Sequence, residues 1–324
     1  MRTPIILDVD TGIDDAMALL VAARHPELDL RGVTCVAGNT SLSNVVANTC
    51  AVLDLVGARE VPVAAGAHRP LIEPARDASH MHGADGLGNL GLPVSDRPVD
   101  PRHAVTLLRD LLVEAPEPIT LVTLAPMTNV ALLLRTYPEV TDRIARVVFM
   151  GGSASVGNAS AVAEFNVWHD PEAAAIVLGA GLELTMYGLD VFNQVVVPPE
   201  EVDRLVAAED PVLRVAGRLL GFRAQLGEAD ESALRLIGDA GAVCALVAPE
   251  LVRTQRWPVQ VELAGGSRGQ TVVDRRTRAG EDLVHGLAGT GPLVDVALGV
   301  DVPAMVDLFV RTLATPGRPA QRGL

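Results

Sequence analysis

The sequence predicts a single α/β domain with a mostly parallel, Rossmann-like sheet flanked by helices. Three observations indicate this class: short apolar runs alternate with longer helical segments, Gly or Pro separates them, and hydrophobic residues make up 49% of the 324 residues. Apolar runs of this kind suit strands that are buried on both faces, with the helices covering the sheet. We find no internal repeat and no low-complexity linker, so we expect one domain over residues 1–314 and a flexible tail over residues 315–324.

The first predicted strand, Ile5 to Val9, is a short apolar run that ends at the turn Asp10-Thr11-Gly12. A helix follows from Asp14, with an apolar stripe along one side, and Pro26 ends it. The same alternation continues along the chain. Further strands are predicted at 30–37, 61–64, 119–124, 146–150 and 182–187, and further helices at 43–57, 103–115, 127–135 and 171–179.

Three regions depart from this regular alternation. Residues 68–100 are rich in Gly, His, Pro and Asp and lack periodicity, and a loop of that length inside an α/β domain is usually functional. Residues 200–250 are predicted to be mostly helical. Residues 257–274 are predicted to form a β-hairpin, because apolar residues alternate there with polar ones.

The chain is acidic, since 40 Asp and Glu residues against 26 Lys and Arg give a net charge of −14. Such a charge repels nucleic-acid backbones and anionic membrane surfaces, so we expect neither as a partner. All 26 basic residues are arginine. The absence of lysine excludes a P-loop lysine, a Schiff-base lysine and a lysine general base.

The cysteines and the N-terminal segment indicate a cytoplasmic protein. Cys35, Cys50 and Cys244 are too few and too scattered for a disulfide framework or a cysteine-based zinc site, and they are typical of a reducing compartment. The N-terminal segment reaches a carboxylate at Asp8, so we expect neither a signal peptide nor a membrane span there.

Four carboxylates, those of Asp8, Asp10, Asp14 and Asp15, lie within eight residues at the end of the first predicted strand. Ligands of open parallel sheets bind at this end of the strands. Helix capping and an exposed loop would account for one or two of these acids, but four like charges so close together repel each other unless a cation or a proton intervenes. With no lysine available, we expect a divalent cation, and purely oxygen ligands favour Ca²⁺ or Mg²⁺.

Two enzyme classes carry an Asp-x-Asp pattern at this place. In the haloacid-dehalogenase-like phosphatases the pair holds Mg²⁺, the first aspartate is a nucleophile, and a basic residue, usually lysine, steadies the phosphate. The lack of lysine argues against such a Mg²⁺ phosphatase, and release of phosphate from a simple phosphate ester would support one. A purely structural protein does not account for four clustered acids.

The second class has more support, because DVDTGIDDAMAL (8–19) resembles the signature of the inosine–uridine nucleoside hydrolase family. The resemblance implies the α/β fold of that family and the Ca²⁺-dependent hydrolysis of the N-glycosidic bond of ribonucleosides to ribose and a free base. It also implies nucleoside salvage and a homodimer or homotetramer. Further segments follow in the order of the family: VAGNTSLSNVVANT (36–49), VPVAAGAHRPL (61–71), HGADGLGN (82–89), LAPMTNVAL (124–132), GNASAVAEFNVWHDPEAA (157–174) and RGQTVVD (268–274).

The resemblance also implies the residues of a site. Asp10 would take a proton from a water bound to the metal, and that water would attack the anomeric carbon. Asn39 and Asn158 could instead be ordinary turn residues. Asp8 is expected to support the turn without touching the cation. The implied Ca²⁺ ligands are Asp10, Asp15, the Leu124 carbonyl and Asp239, and the implied sugar contacts are Asp14, Asn39, Asn158, Glu164 and Asn166.

One position departs from the family pattern. Many members have a histidine before the last metal-binding aspartate, and it protonates the leaving base, but this chain has Gly238 there. His82 matches another histidine near the base and is our candidate for the acid, with His80 as a second candidate. Trp168 would stack on a purine or pack in the core. Because Gly238 lacks an acid, two alternatives stay open. The protein is a degenerate family member that binds Ca²⁺ and a ribosyl ligand with little turnover, or it is an enzyme for an unusual N-riboside.

Overall fold

Nine strands form one sheet in the computed structural model, which describes residues 2–222, 235–286 and 291–316. The strands at the centre of the sheet are short and mostly buried, as expected for strands covered on both faces. The strand Val252–Val261 differs, since it has ten residues and half of them are exposed. In chain order they are β1 (Thr3–Val9), β2 (Leu28–Cys35), β3 (Val63–Ala65), β4 (Ile119–Thr123), β5 (Ile144–Met150), β6 (Leu184–Tyr187), β7 (Val252–Val261), β8 (Thr271–Val273) and β9 (Leu293–Val300).

The sheet order is β3-β2-β1-β4-β5-β6-β9-β7-β8. All pairs from β3 to β9 are parallel, whereas β7 pairs antiparallel with both β9 and β8. The chain builds outward from β1 in one direction through β2 and β3, and then in the other direction from β4. The order therefore reverses between β1 and β4, and in an open α/β sheet this reversal opens a crevice at the carboxyl ends of the strands.

The helices cover both faces of the sheet. Ile5 and Leu7 of β1 face a core cluster on one side, and Ile6 between them faces a second cluster on the other side. The helices are α1 (Ile13–Arg24), α2 (Leu42–Leu55), α3 (Ser79–His82), α4 (Ala104–Glu114), α5 (Thr128–Thr136), α6 (Phe165–His169), α7 (Pro171–Leu178), α8 (Leu189–Phe192), α9 (Pro199–Val206), α10 (Pro211–Phe222), α11 (Ala240–Val247), α12 (Glu281–Val284) and α13 (Val302–Ala314).

Helix α1 lies deep in the first of these clusters. Every residue of α1 except Asp14 is buried, and the helix packs against α2, α10, α11 and α13. At its C-terminal end Arg24 pairs with Asp210 at 3.0 Å and donates to the carbonyl of Leu313. The helix that begins at the crevice is thus fixed by elements from the middle and the end of the chain.

The predicted fold class is confirmed, and the larger differences lie in the last third of the chain. The short helices α3, α6 and α8 were not predicted either. The strand pair predicted at 257–274 forms between β7 and β8, but β7 begins at Val252 and also pairs with β9. The sequence analysis did not predict β9 or α13. The mostly helical region 200–250 contains α10 and α11, and its residues 223–234 lie outside the described residues.

The predicted domain boundary and tail stay predictions. Helix α13 ends at Ala314, and residues 317–324 of the predicted tail lie outside the described residues. Within the described ranges, no helix combines the length and the apolar character needed to span a membrane.

Candidate active site

One asparagine from the loop after β2 joins two buried aspartates that follow β1. Asp10 Oδ2 accepts a hydrogen bond from the backbone N–H of Asn39 at 2.7 Å, and its Oδ1 accepts one from the Asn39 side-chain amide at 3.2 Å. The same amide donates to Oδ2 of Asp15 at 3.1 Å. Asn39, which follows β2, therefore holds the two carboxylates side by side at the crevice between β1 and β4.

Asp15 is also held by the turn itself. Its Oδ1 accepts from the N–H of Asp10 at 3.2 Å, and its Oδ2 accepts from the N–H of Gly12 at 2.9 Å. Asp15 lies in the first turn of α1, where free backbone N–H groups and the helix dipole stabilise a negative charge. The spacing of Asp10 and Asp15 across this turn thus places both carboxylates at the end of β1.

Three carboxylates converge beside this turn. One oxygen each of Asp14, Asp15 and Asp239 lies within 4.8 Å of the other two. Oδ1 of Asp14 is buried, and it has no hydrogen-bond partner within the described residues. Hard cations such as Ca²⁺ and Mg²⁺ bind clustered carboxylate oxygens, so these residues fit a divalent cation.

The carboxylates of this cluster differ from the predicted carboxylate ligands in one member. Asp14, which the family resemblance implied as a sugar contact, is part of the cluster, whereas Asp10 lies next to it and is bound by Asn39. Asp15 and Asp239 are common to both sets. Asp10 and the Leu124 carbonyl remain predicted ligands.

Burial and mutual repulsion raise the pKa values of Asp10, Asp15 and Asp239. Burial and the nearby charge of Asp14 raise the pKa of Asp15 to about 7. Burial raises the pKa of Asp10 well above its ordinary range, as does the charge of Asp15. Burial also raises the pKa of Asp239, and the charges of Asp14 and Asp15 add to this. Protons and cations therefore compete for the same oxygens, which is the electrostatic condition expected of a cation site.

Two further predicted residues meet on the other side of the crevice, where β4 and β5 end. The side-chain amide of Asn166 donates to the carbonyl of Leu124 at 2.9 Å and to the carbonyl of Met150 at 3.1 Å. Asn166 is buried in α6. Its amide therefore ties the ends of β4 and β5 together and orients the carbonyl that the resemblance implies as a metal ligand.

Glu164 is the N-cap of α6 and supports Asn166. Its Oε1 accepts from the N–H of Asn166 at 2.9 Å, and its Oε2 accepts from Gly152 at 2.9 Å and from Val167 at 3.2 Å. Burial raises the pKa of Glu164 to about 7 although these donors oppose the shift. The carboxyl is thus held rigidly next to the crevice.

Asn158 is the predicted site residue that the structure does not connect to this group. It lies exposed in the loop before α6, and its Oδ1 accepts from the N–H of Phe165 at 2.9 Å. Among the described residues, no hydrogen bond links it to the carboxylates. Its predicted contact with the sugar stays a prediction.

His82, the candidate acid, is buried at the end of α3 and bonded to the start of α1. Its Nδ1 accepts from the backbone N–H of Ile13 at 3.1 Å and lies 3.8 Å from Oδ1 of Asp14. A ring nitrogen that accepts an N–H carries no proton, so the arrangement is that of the neutral imidazole with its proton on Nε2. Donation from Nδ1 would require the ring to release Ile13.

Gly238 adopts a backbone conformation that disfavours a side chain. Its φ is +56°, in the left-handed region, and a Cβ added there would lie 2.5 Å from Cβ of Asp14. The position at which the resemblance implies a histidine is thus a glycine whose backbone lies directly against Asp14. The replacement changes the shape of the site as well as its chemistry.

Two other aromatic candidates lie away from the carboxylates. His80 is exposed. Trp168 is half-buried, with Arg76 5.1 Å from its ring centre and Phe165 at 6.2 Å. This environment agrees with the packing role that was the alternative to stacking on a purine.

Asp8 was expected to support the turn, but sequence reasoning missed the residues that hold Asp8. Asp8 is buried, and its Oδ1 accepts from Thr34 at 2.6 Å and from the Asn129 amide at 2.8 Å. Asn129 also donates to the carbonyl of Cys35 at 3.0 Å and accepts from Ala67 at 2.9 Å. One buried asparagine thus joins the ends of β1, β2 and β3. The motif LAPMTNVAL contains Asn129, but its spacing does not indicate these partners.

Comparison with known proteins places this geometry in context. The profile of a family described as "Inosine-uridine preferring nucleoside hydrolase" matches residues 5–307. A protein of that same name from Leishmania major is 41% identical over 279 residues, which cover 85% of this chain and 89% of the relative. A pyrimidine-specific ribonucleoside hydrolase RihA from Citrobacter koseri is 37% identical over 318 residues, 97% of this chain and 99% of the relative.

Solved structures agree with the sequence relatives. A purine-preferring ribonucleoside hydrolase from Gardnerella vaginalis superposes with a TM-score of 0.87 at 31% identity, over 96% of this chain and 98% of that protein. The three relatives are named for three different base preferences. Similarity at this level therefore does not assign a base preference to this chain.

Proposed function

Because the chain belongs to the inosine-uridine preferring nucleoside hydrolase family, whose members cleave the N-glycosidic bond of ribonucleosides, we propose a Ca²⁺-dependent hydrolysis of ribonucleosides to ribose and a free base. The observation that carries the proposal is the convergence of Asp14, Asp15 and Asp239 within 4.8 Å, next to Asp10. Family members depend on a metal, and this acidic cluster is where the described part of the chain could hold one.

Four groups are proposed to hold the cation: Asp10, Asp15, Asp239 and the Leu124 carbonyl. A bound Ca²⁺ would make a neighbouring water more acidic and fix the 2′- and 3′-hydroxyls of the ribose. Calcium suits a site built from carboxylates and one backbone carbonyl, because it takes roughly 6–8 oxygen ligands and leaves room for a sugar diol.

Asp10 is proposed as the general base. It takes the proton of the attacking water, and Asn39 holds it in place through two hydrogen bonds. A carboxyl whose pKa is raised by burial is a stronger base when ionised than an exposed one, which favours proton transfer near neutral pH. Water then adds to the anomeric carbon as the bond to the base breaks, and the electron pair of that bond leaves with the base.

The sugar is proposed to lie between the turn after β1 and helix α6. Asp14 and Asn39 would contact the ribose from one side, and Asn158, Glu164 and Asn166 from the other. These side chains orient the ring, and their hydrogen bonds strengthen as the ring flattens and gains positive charge. Glu164 and Asn166 are rigidly held, so little ordering is needed when the sugar binds.

The departing base receives a proton from His82 in this proposal, since Gly238 has no side chain to supply one. His82 must first release the N–H of Ile13 or donate from Nε2. Substrates with good leaving groups, including unusual N-ribosides, are therefore favoured. Gly238 also supports a second candidate function, the binding of Ca²⁺ and a ribosyl ligand with little turnover.

One assay separates these candidates. Ribose release is measured as reducing sugar from inosine, adenosine, guanosine, uridine, cytidine and p-nitrophenyl riboside, with Ca²⁺ and after chelation. We expect chelator-sensitive release from at least one natural nucleoside. Turnover of p-nitrophenyl riboside alone would mean that hydrolysis persists without an acid for the base, and no turnover by the Ca²⁺-bound protein would establish the binding function instead.

We further propose a homodimer or homotetramer that acts in cytoplasmic nucleoside salvage. The support for the compartment is that all three cysteines are free and buried, as is common in a reducing environment. Light scattering on the purified protein tests the assembly, and a monomeric mass would reject it.

A further inference from the structure

Two segments of the chain enclose His82. One is the turn after β1, where Thr11 follows Asp10. The other is residues 83–91, which we call the glycine loop because four glycines there have positive φ. This loop is closed by its own hydrogen bonds: Oδ1 of Asp85 accepts from Leu87 at 2.7 Å and from Asn89 at 2.9 Å. The loop therefore holds its own conformation, and its position in the protein depends on its contacts with other segments.

Asn48 of α2 joins the two segments. Its side-chain nitrogen donates to the carbonyl of Thr11 at 3.2 Å and to the carbonyl of Asp85 at 2.8 Å. Both partners are carbonyl oxygens, so only the nitrogen of the amide can face them, and both of its hydrogens are used. Asn48 is 8% exposed, which makes these bonds part of the buried structure.

His82 depends on the same two segments. Its Nδ1 accepts from Ile13, at the start of α1, and its backbone carbonyl accepts from Gly88 of the glycine loop at 2.8 Å. The ring thus touches the turn side while the backbone is bonded to the loop. The Asn48 amide, on another helix, bonds Thr11 and Asp85, which belong to the same two segments as Ile13 and Gly88.

We propose that Asn48 is a positioning residue, which holds the glycine loop against the turn after β1 and thereby places His82 for the departing base. The inference rests on the proposed function. Without the amide, the loop would keep its internal bonds but lose its anchor to the turn, and His82 would no longer be held next to Asp14. The carboxylates and α6 have other supports, so hydrolysis of a substrate that needs no proton on its leaving group should continue.

The matched test compares Asn48→Leu with Thr49→Val. Leucine keeps the size of the side chain and removes both donors. Thr49, the next residue of α2, also bonds the turn, through Oγ1 to Oγ1 of Thr11 at 2.6 Å, but no hydrogen bond joins its side chain to the glycine loop among the described residues. Thr49→Val therefore loosens the same residue of the turn without releasing the loop.

The readout is the ratio of kcat/KM for the best natural nucleoside to kcat/KM for p-nitrophenyl riboside. For Asn48→Leu we expect this ratio to fall about tenfold, equivalent to about 1.4 kcal/mol, with kcat/KM for p-nitrophenyl riboside within about threefold of the native value. For Thr49→Val we expect a ratio within about twofold of the native value. A purely structural defect would lower kcat/KM for both substrates by the same factor and leave the ratio unchanged.

A second variant approaches the contact from the loop. A Cβ at Gly86 would lie 3.0 Å from the Asn48 side-chain nitrogen and 2.9 Å from Cγ2 of Thr40, and φ of Gly86 is +82°. Gly86→Ala should therefore lower the same ratio, and it decides the question if Asn48→Leu does not fold. Hydrogen exchange gives a readout besides activity, because amides 83–91 should exchange faster in Asn48→Leu than in Thr49→Val.

The outcomes separate this inference from the proposed function. If the native protein releases ribose but the ratio and the exchange of amides 83–91 are unchanged in Asn48→Leu, the positioning role is wrong and the proposed function stands. If the native protein releases no ribose from any substrate, the proposed function is wrong and the role falls with it. If it cleaves only p-nitrophenyl riboside, the exchange comparison alone decides whether Asn48 anchors the loop.

Discussion

Replacing Gly238 with histidine would introduce the residue that the family resemblance implies at this position, and we predict that it does not supply an acid. The backbone at 238 has φ +56°, which costs a residue with a Cβ about 1–2 kcal/mol. The new Cβ would lie 2.5 Å from Cβ of Asp14 and 2.9 Å from its Oδ2. Overlap of this size in a packed region costs about 1–3 kcal/mol.

The sum predicts a loss of about 2–5 kcal/mol in the free energy of unfolding for Gly238→His. The displaced Asp14 lies within 4.8 Å of two proposed ligands, Asp15 and Asp239, so its displacement should also disturb them and lower Ca²⁺ affinity by about tenfold or more. Urea unfolding, calorimetric titration with Ca²⁺ and ribose release from inosine measure the three effects. We expect kcat/KM for inosine to stay at or below the native value.

Gly57→Ala is the matched control, because Gly57 has φ +77° but no heavy atom within 4 Å of an added Cβ. It should show only the cost of the backbone conformation, about 1–2 kcal/mol, and unchanged Ca²⁺ affinity. The reasoning would be refuted if Gly238→His had the same urea midpoint of unfolding as the native protein. It would also be refuted if this variant raised kcat/KM for inosine while binding Ca²⁺ with native affinity.

Three further predictions follow from the site. Asp10→Asn should lower kcat for ribose release by about 10²–10⁴-fold with a native circular-dichroism spectrum, and near-native kcat would exclude Asp10 as the base. After a chelator has removed the metal, Asp15 and Glu164, each with a pKa of about 7, bind more protons in the folded state than in the unfolded state. The thermal midpoint of the chelated protein should therefore fall as pH rises from about 6.5 to 8. His169, whose pKa burial lowers to about 4, has the opposite effect on the midpoint, but at lower pH. Added Ca²⁺ should remove the fall, and a midpoint that rises with pH would contradict the assignment. Asn129→Ala should lose about 2–4 kcal/mol in urea unfolding, since three buried hydrogen bonds disappear, and a loss under about 1 kcal/mol would show that Asn129 is not the support described.

Much of the fold could be predicted from local patterns. Strands such as Ile119–Thr123 are short runs of β-branched and apolar residues that are buried throughout, and Asp10 and Asp15 follow the end of the first strand. Parallel strands bring their carboxyl ends to one edge, so these acids could be placed at the crevice from sequence alone. Strand β9 and helix α13 were missed although Asp301 and Pro303 form a regular helix start, because Leu293–Val300 alternates too weakly to indicate a strand.

The parts that could not be predicted depend on contacts between distant residues. Asn39 joins two carboxylates, and Asn48 joins two carbonyls 74 positions apart in the chain, yet each asparagine has a local sequence that suits an ordinary turn or helix. The left-handed backbone at Gly238 is likewise set by its packing against Asp14. Composition gives the types of these residues, but only the assembled fold gives their partners.

The burial of α1 has a consequence for how the protein is made. Helix α1 is translated before α10, α11 and α13, which are three of the four helices that pack against it. Until those three helices are made, a nascent chain therefore carries an almost wholly apolar helix without most of its covering partners, a state that favours chaperone binding and aggregation. Truncations that remove α13 should accordingly appear in inclusion bodies, with the first helix as the segment that associates.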